Sequence, residues 1–121
     1  MNSLPLQPRL RPLCALTDLP PGATLGFAPA EGAQCGLFAV HGPDGPVVYV
    51  NACPHLGVPL DWLPGRFLSQ DGSKIVCATH GAEFRIDTGH CLRGPCRGES
   101  LTLVPSTVVN GTLMVADDPG Q

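Results

Sequence analysis

Two short segments of the sequence each place a thiol close to an imidazole. The first, at 53–57, reads CPHLG and contains Cys53 and His55, while the second, at 77–81, reads CATHG and contains Cys77 and His80. Cysteine and histidine are common protein ligands of transition metals. Two loops that each carry one ligand of each kind could present two thiolates and two imidazoles together.

The spacing of these residues argues against the most ordinary metal site, a structural zinc. A Cys2His2 zinc site normally has a C-x2-4-C pair followed by an H-x3-5-H pair. Here each half contains one ligand of each kind, and a single residue separates Cys53 from His55. Histidine is a neutral ligand, so it leaves an iron–sulfur cluster less negative and easier to reduce. The pattern favours such a cluster, with a zinc-stabilised binding module as the alternative; buried thiols and core histidines without a metal would require a coincidence.

The paired segments resemble the C-x-H-x-G and C-x-x-H-G motifs of the Rieske family. The resemblance implies one [2Fe–2S] cluster per chain, the cluster in which two His replace two Cys on one iron. It implies that Cys53 and Cys77 bind the inner iron. It also implies that His55 and His80 bind the outer iron, at an exposed tip where partner proteins exchange electrons.

Three further positions are expected to surround this cluster. Gly57 and Gly81 follow the histidines, and the absence of a side chain lets their backbone approach closely, so that amide N–H groups can point at the sulfides. Pro95, in Gly94-Pro95, matches the proline-bearing third loop that covers the cluster in the Rieske family.

The sequence also departs from the high-potential members of that family. Val58 and Thr79 occupy the positions where those proteins carry two extra cysteines, so the disulfide between the loops is absent. Ala82 and Phe84 replace a serine and a tyrosine that donate hydrogen bonds to sulfur. With fewer donors the reduced cluster is less stabilised, which predicts a low reduction potential.

The elements that must position these residues are predicted to be short strands. The 121 residues suit one domain, and the 15 glycines and 14 prolines leave few helix-forming stretches. Short apolar runs rich in β-forming residues occur between turn signals, at 13–16, 23–28, 36–40, 47–50, 75–77, 84–86, 101–104, 107–109 and 113–115. Asn110-Gly111 predicts a two-residue hairpin turn, and Gly42–Gly45 predicts a hairpin with a longer loop.

The expected fold is all-β: a Rieske-like antiparallel β-sandwich base with a small inserted cluster-binding subdomain. The whole chain, 1–121, is interpreted as one domain. Residues of about 1–50 and 98–121 form the base, and about 51–97 form the cluster-binding part. This middle segment holds four of the six cysteines and three of the four histidines, and it has less regular strand pattern than its flanks.

The remaining cysteines are given structural interpretations. Cys14 and Cys35 lie in apolar strand contexts and are predicted to fill the core, since free cysteine is often buried. Cys91 and Cys96 flank the proline loop. They could form a local disulfide, or they could be small apolar residues that line the cover of the cluster.

Three other residues, two histidines and a tryptophan, lie outside the paired motifs. His41 and His90 are lone histidines for which solvated or turn roles are expected. Trp62, the only tryptophan, is interpreted as a hydrophobic plug of the loop after His55; a docking role beside the cluster is the alternative.

Composition restricts the function. Net charge is −3 without a basic run, so nucleic acid is not an expected partner. Neither a signal segment nor a long apolar stretch is present, which predicts a cytoplasmic protein away from membranes. Both irons of a Rieske cluster are fully ligated, and no nucleotide-binding or nucleophile motif occurs, so catalysis by this chain alone is not expected.

The resemblance implies an electron-transport role as a ferredoxin component of an oxidoreductase system. The expected partners are redox proteins: a flavin-dependent reductase as the donor, and a terminal oxygenase or reductase as the acceptor. A second hypothesis retains the cluster but makes the chain a small subunit of a larger reductase, such as nitrite reductase. The zinc module remains the alternative without redox chemistry.

Overall fold

Three antiparallel sheets form the computed structural model, which describes residues 10–29, 32, 34–54, 58–61, 66–78 and 81–116. The ten strands are β1 Leu10–Ala15, β2 Thr24–Phe27, β3 Leu37–Gly42, β4 Gly45–Val50, β5 Ile75–Val76, β6 Glu83–Phe84, β7 Cys91–Arg93, β8 Leu103–Val104, β9 Ser106–Val109 and β10 Thr112–Ala116. One 3₁₀ turn, Leu16–Asp18, follows β1. The base sheet has the order β1-β10-β9, the central sheet β2-β3-β4-β8 and the site sheet β5-β6-β7. The predicted all-β class is confirmed.

The central sheet is covered on both faces, which explains why β3 is an unbroken apolar run. Successive side chains of a strand point to opposite faces. Leu37 and Ala39 pack in the core shared with the base sheet, whereas Phe38 and Val40 pack in the core shared with the site sheet. The sandwich and the inserted subdomain therefore form three layers with the central sheet in the middle.

The core on the site side of the central sheet contains most of the aromatic residues. Phe67, from the segment before β5, stacks on Phe38 with ring centroids 4.4 Å apart and an interplanar angle of 4°. Phe84 of β6 and Tyr49 of β4 are fully buried in the same core. The site sheet is thereby fixed to the central sheet by packed aromatic rings.

Two predicted turns have different outcomes. Asn110 and Gly111 both adopt positive φ, 51° and 78°, and join β9 to β10 as a two-residue turn. This confirms the hairpin. The longer loop predicted at Gly42–Gly45 is wrong, because Gly42 pairs directly with Gly45 and only two residues connect β3 to β4.

The sequence pattern missed β7 and the start of β1. Cys91–Arg93 is only three residues long, and two of them are exposed, so it lacks an apolar run. Leu10–Pro12 adds to β1 by pairing with β10, a long-range contact that local pattern does not encode. In the described part of the chain, no helix has the length and apolar character that a membrane crossing requires.

Tyr49 gives the stability of the fold an expected pH dependence. Its hydroxyl donates a 2.7 Å hydrogen bond to the Ile86 carbonyl. Burial, and secondarily the Asp87 carboxylate, raises the pKa of Tyr49 to about 12. Because the unfolded phenol titrates near pH 10, the stabilisation is complete below that pH and is lost as the pH rises through about 12. The free energy of unfolding lost in this way is about 3 kcal/mol.

Urea denaturation of the wild type and of Tyr49→Phe, from about pH 9 upward, measures this effect. The variant should be less stable by about 1 kcal/mol below pH 10, and its free energy of unfolding should fall less steeply above it. Parallel losses in the two proteins would contradict the assignment to Tyr49.

Candidate metal centre

The first cysteine loop starts just after the central sheet ends. Cys53 lies three residues beyond the end of β4, and its N–H donates a 2.7 Å hydrogen bond to the Val58 carbonyl. This bond closes a loop over 53–58, and Cys53 is only 3% exposed. The loop is therefore anchored at the cysteine.

The second loop closes in the same way. Cys77 directly follows β5 and is fully buried, and its N–H donates a 2.9 Å hydrogen bond to the Ala82 carbonyl, five residues later. Gly81 has φ of +71° and donates its N–H to the Cys77 carbonyl at 2.9 Å. The Gly81 amide thus helps to close its own loop, and its role toward a cluster stays a prediction.

A short hydrogen-bond network fixes the two loops to each other. Ala78 N–H donates to the Leu60 carbonyl at 2.9 Å, and Leu60 N–H donates to Asn51 Oδ1 at 2.8 Å. The Asn51 side-chain amide in turn donates to Asp61 Oδ1 at 3.0 Å. Neither Asn51 nor Asp61 was predicted as a site residue. For Asn51 the signal was a polar side chain directly after the buried strand β4.

The proline loop packs against the second cysteine loop. Gly94 has φ of +103°, and a Cβ at this position would lie 2.8 Å from Ala82 Cα. Only glycine allows this close approach without displacing backbone. Pro95 follows on the exposed side of the loop. Its predicted place beside the loops is compatible with this packing, and its role toward a cluster stays a prediction.

Four of the cysteines share one buried core. Cys53, Cys77, Cys91 and Cys96 are each at most 3% exposed and belong to the core on the site side of the central sheet. Cys91 Sγ and Cys96 Sγ are 3.2 Å apart as free thiols, without a bond between them. Burial is the main reason that the pKa of Cys96 is raised to about 12; the Cys91 and Cys53 side chains, which contact it, raise it further.

The other residues singled out by sequence have mixed outcomes. Cys14 and Cys35 are half-buried and pack against the core between the base and central sheets. His90 is exposed, as expected. His41 is half-buried near the end of β3, and its Nδ1 lies 2.8 Å from the Leu19 carbonyl oxygen.

Several predicted site residues lie outside the described residues: His55, Gly57, Trp62 and His80. Their roles stay predictions.

Of the four predicted ligands, the structure describes Cys53 and Cys77, and these two fit an iron–sulfur cluster. Two buried thiols are held on loops with the same closing hydrogen bond, and a backbone bond joins the loops. Thiolate sulfur is the ligand that iron–sulfur clusters require. In the sequence, His55 falls between the ends of the first loop, at 53–58, and His80 between the ends of the second, at 77–82.

Comparison with protein-family models finds a match to the Rieske [2Fe–2S] domain over residues 10–110. Comparison with curated protein sequences finds no match.

Solved structures with the same fold include two ferredoxins. The Sphingomonas yanoikuyae B1 ferredoxin is 23% identical, with a TM-score of 0.72 over 91% of this chain and 100% of that chain. The ferredoxin of carbazole 1,9a-dioxygenase from Nocardioides aromaticivorans IC177 is 21% identical, with a TM-score of 0.69 over 90% and 98%. The terminal oxygenase of that dioxygenase is 18% identical, with a TM-score of 0.71, and this chain covers only 31% of it.

Proposed function

Because the chain belongs to the Rieske [2Fe–2S] domain family, we propose that it is a ferredoxin that carries electrons from a reductase to an oxygenase. When bound, the [2Fe–2S] cluster accepts and releases one electron at a time. The donor proposed is a flavin-dependent reductase, and the acceptor is a terminal oxygenase. The chain itself is proposed to be an electron-transfer component without catalysis of its own.

The proposed ligands are Cys53, His55, Cys77 and His80. The thiols of Cys53 and Cys77 supply the sulfur donors from the buried side of the site. The imidazoles, one in each loop, supply the nitrogen donors. In this proposal the cysteines lie toward the packed core, and the tips of the two loops contact the redox partners.

The surrounding residues would exclude water and hold the ligands in place. Ala82 and Phe84 are fully buried beside the second loop. The closing hydrogen bonds at Cys53 and Cys77 fix the backbone of each ligand before an electron arrives. Ligands held on preformed loops need little rearrangement when the charge of the centre changes.

The observation that carries the proposed role is the extent of the structural match. The fold covers 98% and 100% of two ferredoxin chains, but only about a third of an oxygenase chain. In carbazole 1,9a-dioxygenase, the oxygenase forms a complex with a ferredoxin. A partner of the same class is therefore proposed for this chain.

Reconstitution tests the proposal directly. Anaerobically purified protein should contain two irons and two acid-labile sulfides per chain and, after reduction, give an EPR spectrum with the low average g-value of mixed Cys/His ligation. A flavin-dependent reductase with NADH should bleach its visible absorption, and an oxygenase should restore it. One zinc without sulfide would overturn the proposal. Stable co-purification with a large reductase would favour the subunit role instead.

The reduction potential is expected near the low end of the Rieske range of roughly −150 to +300 mV. Ala82 and Phe84 offer no side-chain donors to sulfur, so the negative charge added by reduction is poorly stabilised. Protein-film voltammetry measures it. Ala82→Ser adds one hydroxyl at the same position and should raise the potential. A clearly positive wild-type value would refute the prediction.

A further inference from the structure

Cys91 and Cys96 form a thiol pair for which the electron-carrier role gives no explanation. Their Sγ atoms are 3.2 Å apart, and Cys91 Sγ donates to the Arg93 carbonyl, also at 3.2 Å. A disulfide has an S–S distance of about 2.05 Å, so the two sulfurs need to approach by only about 1 Å. Both side chains are 1% exposed, and both sulfurs are free.

The backbone around the pair already has the shape of a closed loop. Cys91 N–H donates to the Glu99 carbonyl at 2.8 Å, and Glu99 N–H donates to the Cys96 carbonyl at 2.9 Å. Arg97 N–H donates to the Gly94 carbonyl at 3.1 Å and turns the chain back. These bonds hold the two cysteines face to face, so closing the ring requires little loss of conformational freedom.

Access to the sulfurs comes through the outer side of this loop. Residues 92–95 and 97–100 are exposed. A surface loop of this kind opens locally at a lower free energy than the sheets beneath it. Reaction with a small oxidant is therefore expected to be slow but possible without unfolding the core.

We propose that Cys91 and Cys96 are a dithiol–disulfide couple that is oxidised by low-molecular-weight disulfides such as glutathione disulfide. One S–S bond forms between Cys91 and Cys96, and the S–S bond of glutathione disulfide breaks. Each cysteine gives up one electron and one proton, and two glutathione thiols are released. The new bond locks the Gly94-Pro95 loop in its position against Ala82.

The position of the couple connects it to the cysteine loops. Cys96 contacts Cys53, the proposed ligand of the first loop, within one buried core. Cys14 and Cys35, which were predicted to fill the core, pack in the other core, between the base and central sheets. Because the sulfurs of Cys91 and Cys96 are in contact at 3.2 Å, the disulfide is expected to form between these two. The thiol chemistry does not depend on the proposed electron-carrier function.

The experiment equilibrates anaerobic, cluster-loaded protein with glutathione redox buffers of increasing oxidised fraction. Acid quenching, alkylation under denaturing conditions and peptide mass spectrometry then report the state of each cysteine. We expect an intramolecular Cys91–Cys96 crosslink to appear and reach most of the protein, with alkylated Cys14 and Cys35. The visible absorption of the cluster, recorded before quenching, should be retained.

Cysteine variants distinguish oxidation of the Cys91–Cys96 couple from oxidation of other cysteines. Cys91→Ser and Cys96→Ser should each abolish the crosslink, whereas the double variant Cys14→Ser/Cys35→Ser should form it at the wild-type ratio. The last variant leaves the pair untouched and keeps the test valid if either single variant folds poorly. Complete alkylation of Cys91 and Cys96 in the most oxidising buffer would overturn the proposal. A crosslink of Cys96 to Cys53 with loss of the cluster would overturn it as well.

Discussion

Alanine at His55 or His80 is expected to remove the mixed-ligand EPR signal of the purified, reduced protein. Each change deletes one of the two nitrogen donors proposed for the outer iron, and neither loop offers a second imidazole. Even residues that only support a ligand typically contribute about 10–100-fold to metal affinity, so loss of a ligand should lower bound iron at least tenfold. Iron and sulfide analysis with visible absorption measures the loss.

His90→Ala is the matched control for these variants. It removes the same ring from the same subdomain, but His90 is exposed and its ring Nδ1 lies 3.5 Å from Ser100 Oγ. Its iron content and spectrum should equal those of the wild type. A normal spectrum in His55→Ala or His80→Ala would refute the ligand assignment, whatever the control shows.

Alanine at Phe67 is expected to lower the free energy of unfolding by about 3–5 kcal/mol. The ring is fully buried and stacks on Phe38, and its edge lies beside Gly26, where a Cβ would be 3.2 Å from Cζ. Its removal leaves a cavity between the site sheet and the central sheet. Because small domains are stable by only about 5–15 kcal/mol, such a loss is a large part of the total.

Urea denaturation followed by circular dichroism measures the change at Phe67. Leu103→Ala is the control, since Leu103 is also a large apolar residue near the central sheet but is 55% exposed. Its replacement should change stability by less than about 1 kcal/mol. Equal effects of the two variants would show that the aromatic stack does not hold the layers together.

The fold was predictable where the signal is local. The Asn110-Gly111 turn needs positive φ at two adjacent positions, and this pair of residues tolerates it well. The run at 36–40 predicted β3 because both faces of that strand are covered. The arrangement of the strands into three layers was not predictable, because pairing partners far apart in sequence leave no local pattern.

The site, like the fold, was predictable only in part. The ligand residues are apparent from their types and spacing, since coordination chemistry allows few alternatives. Asn51, which accepts a hydrogen bond from Leu60 and so holds the residue that joins the second loop, was missed, because asparagine after a strand is equally common in ordinary turns. The meeting of Cys91 with Cys96 was foreseen only as one of two options, since a four-residue separation fixes no distance.

The pairing of β1 with β10 has a consequence for biosynthesis. Leu10 pairs with Ala116, so the base sheet cannot close until the residues up to Ala116 have left the ribosome. Strands β2 to β7, which lie around both cysteine loops, are complete more than twenty residues earlier, with Arg93. During translation the cysteines at 53 and 77 therefore emerge well before the final strand. Capture of iron and sulfide by the nascent polypeptide can precede the last step of folding.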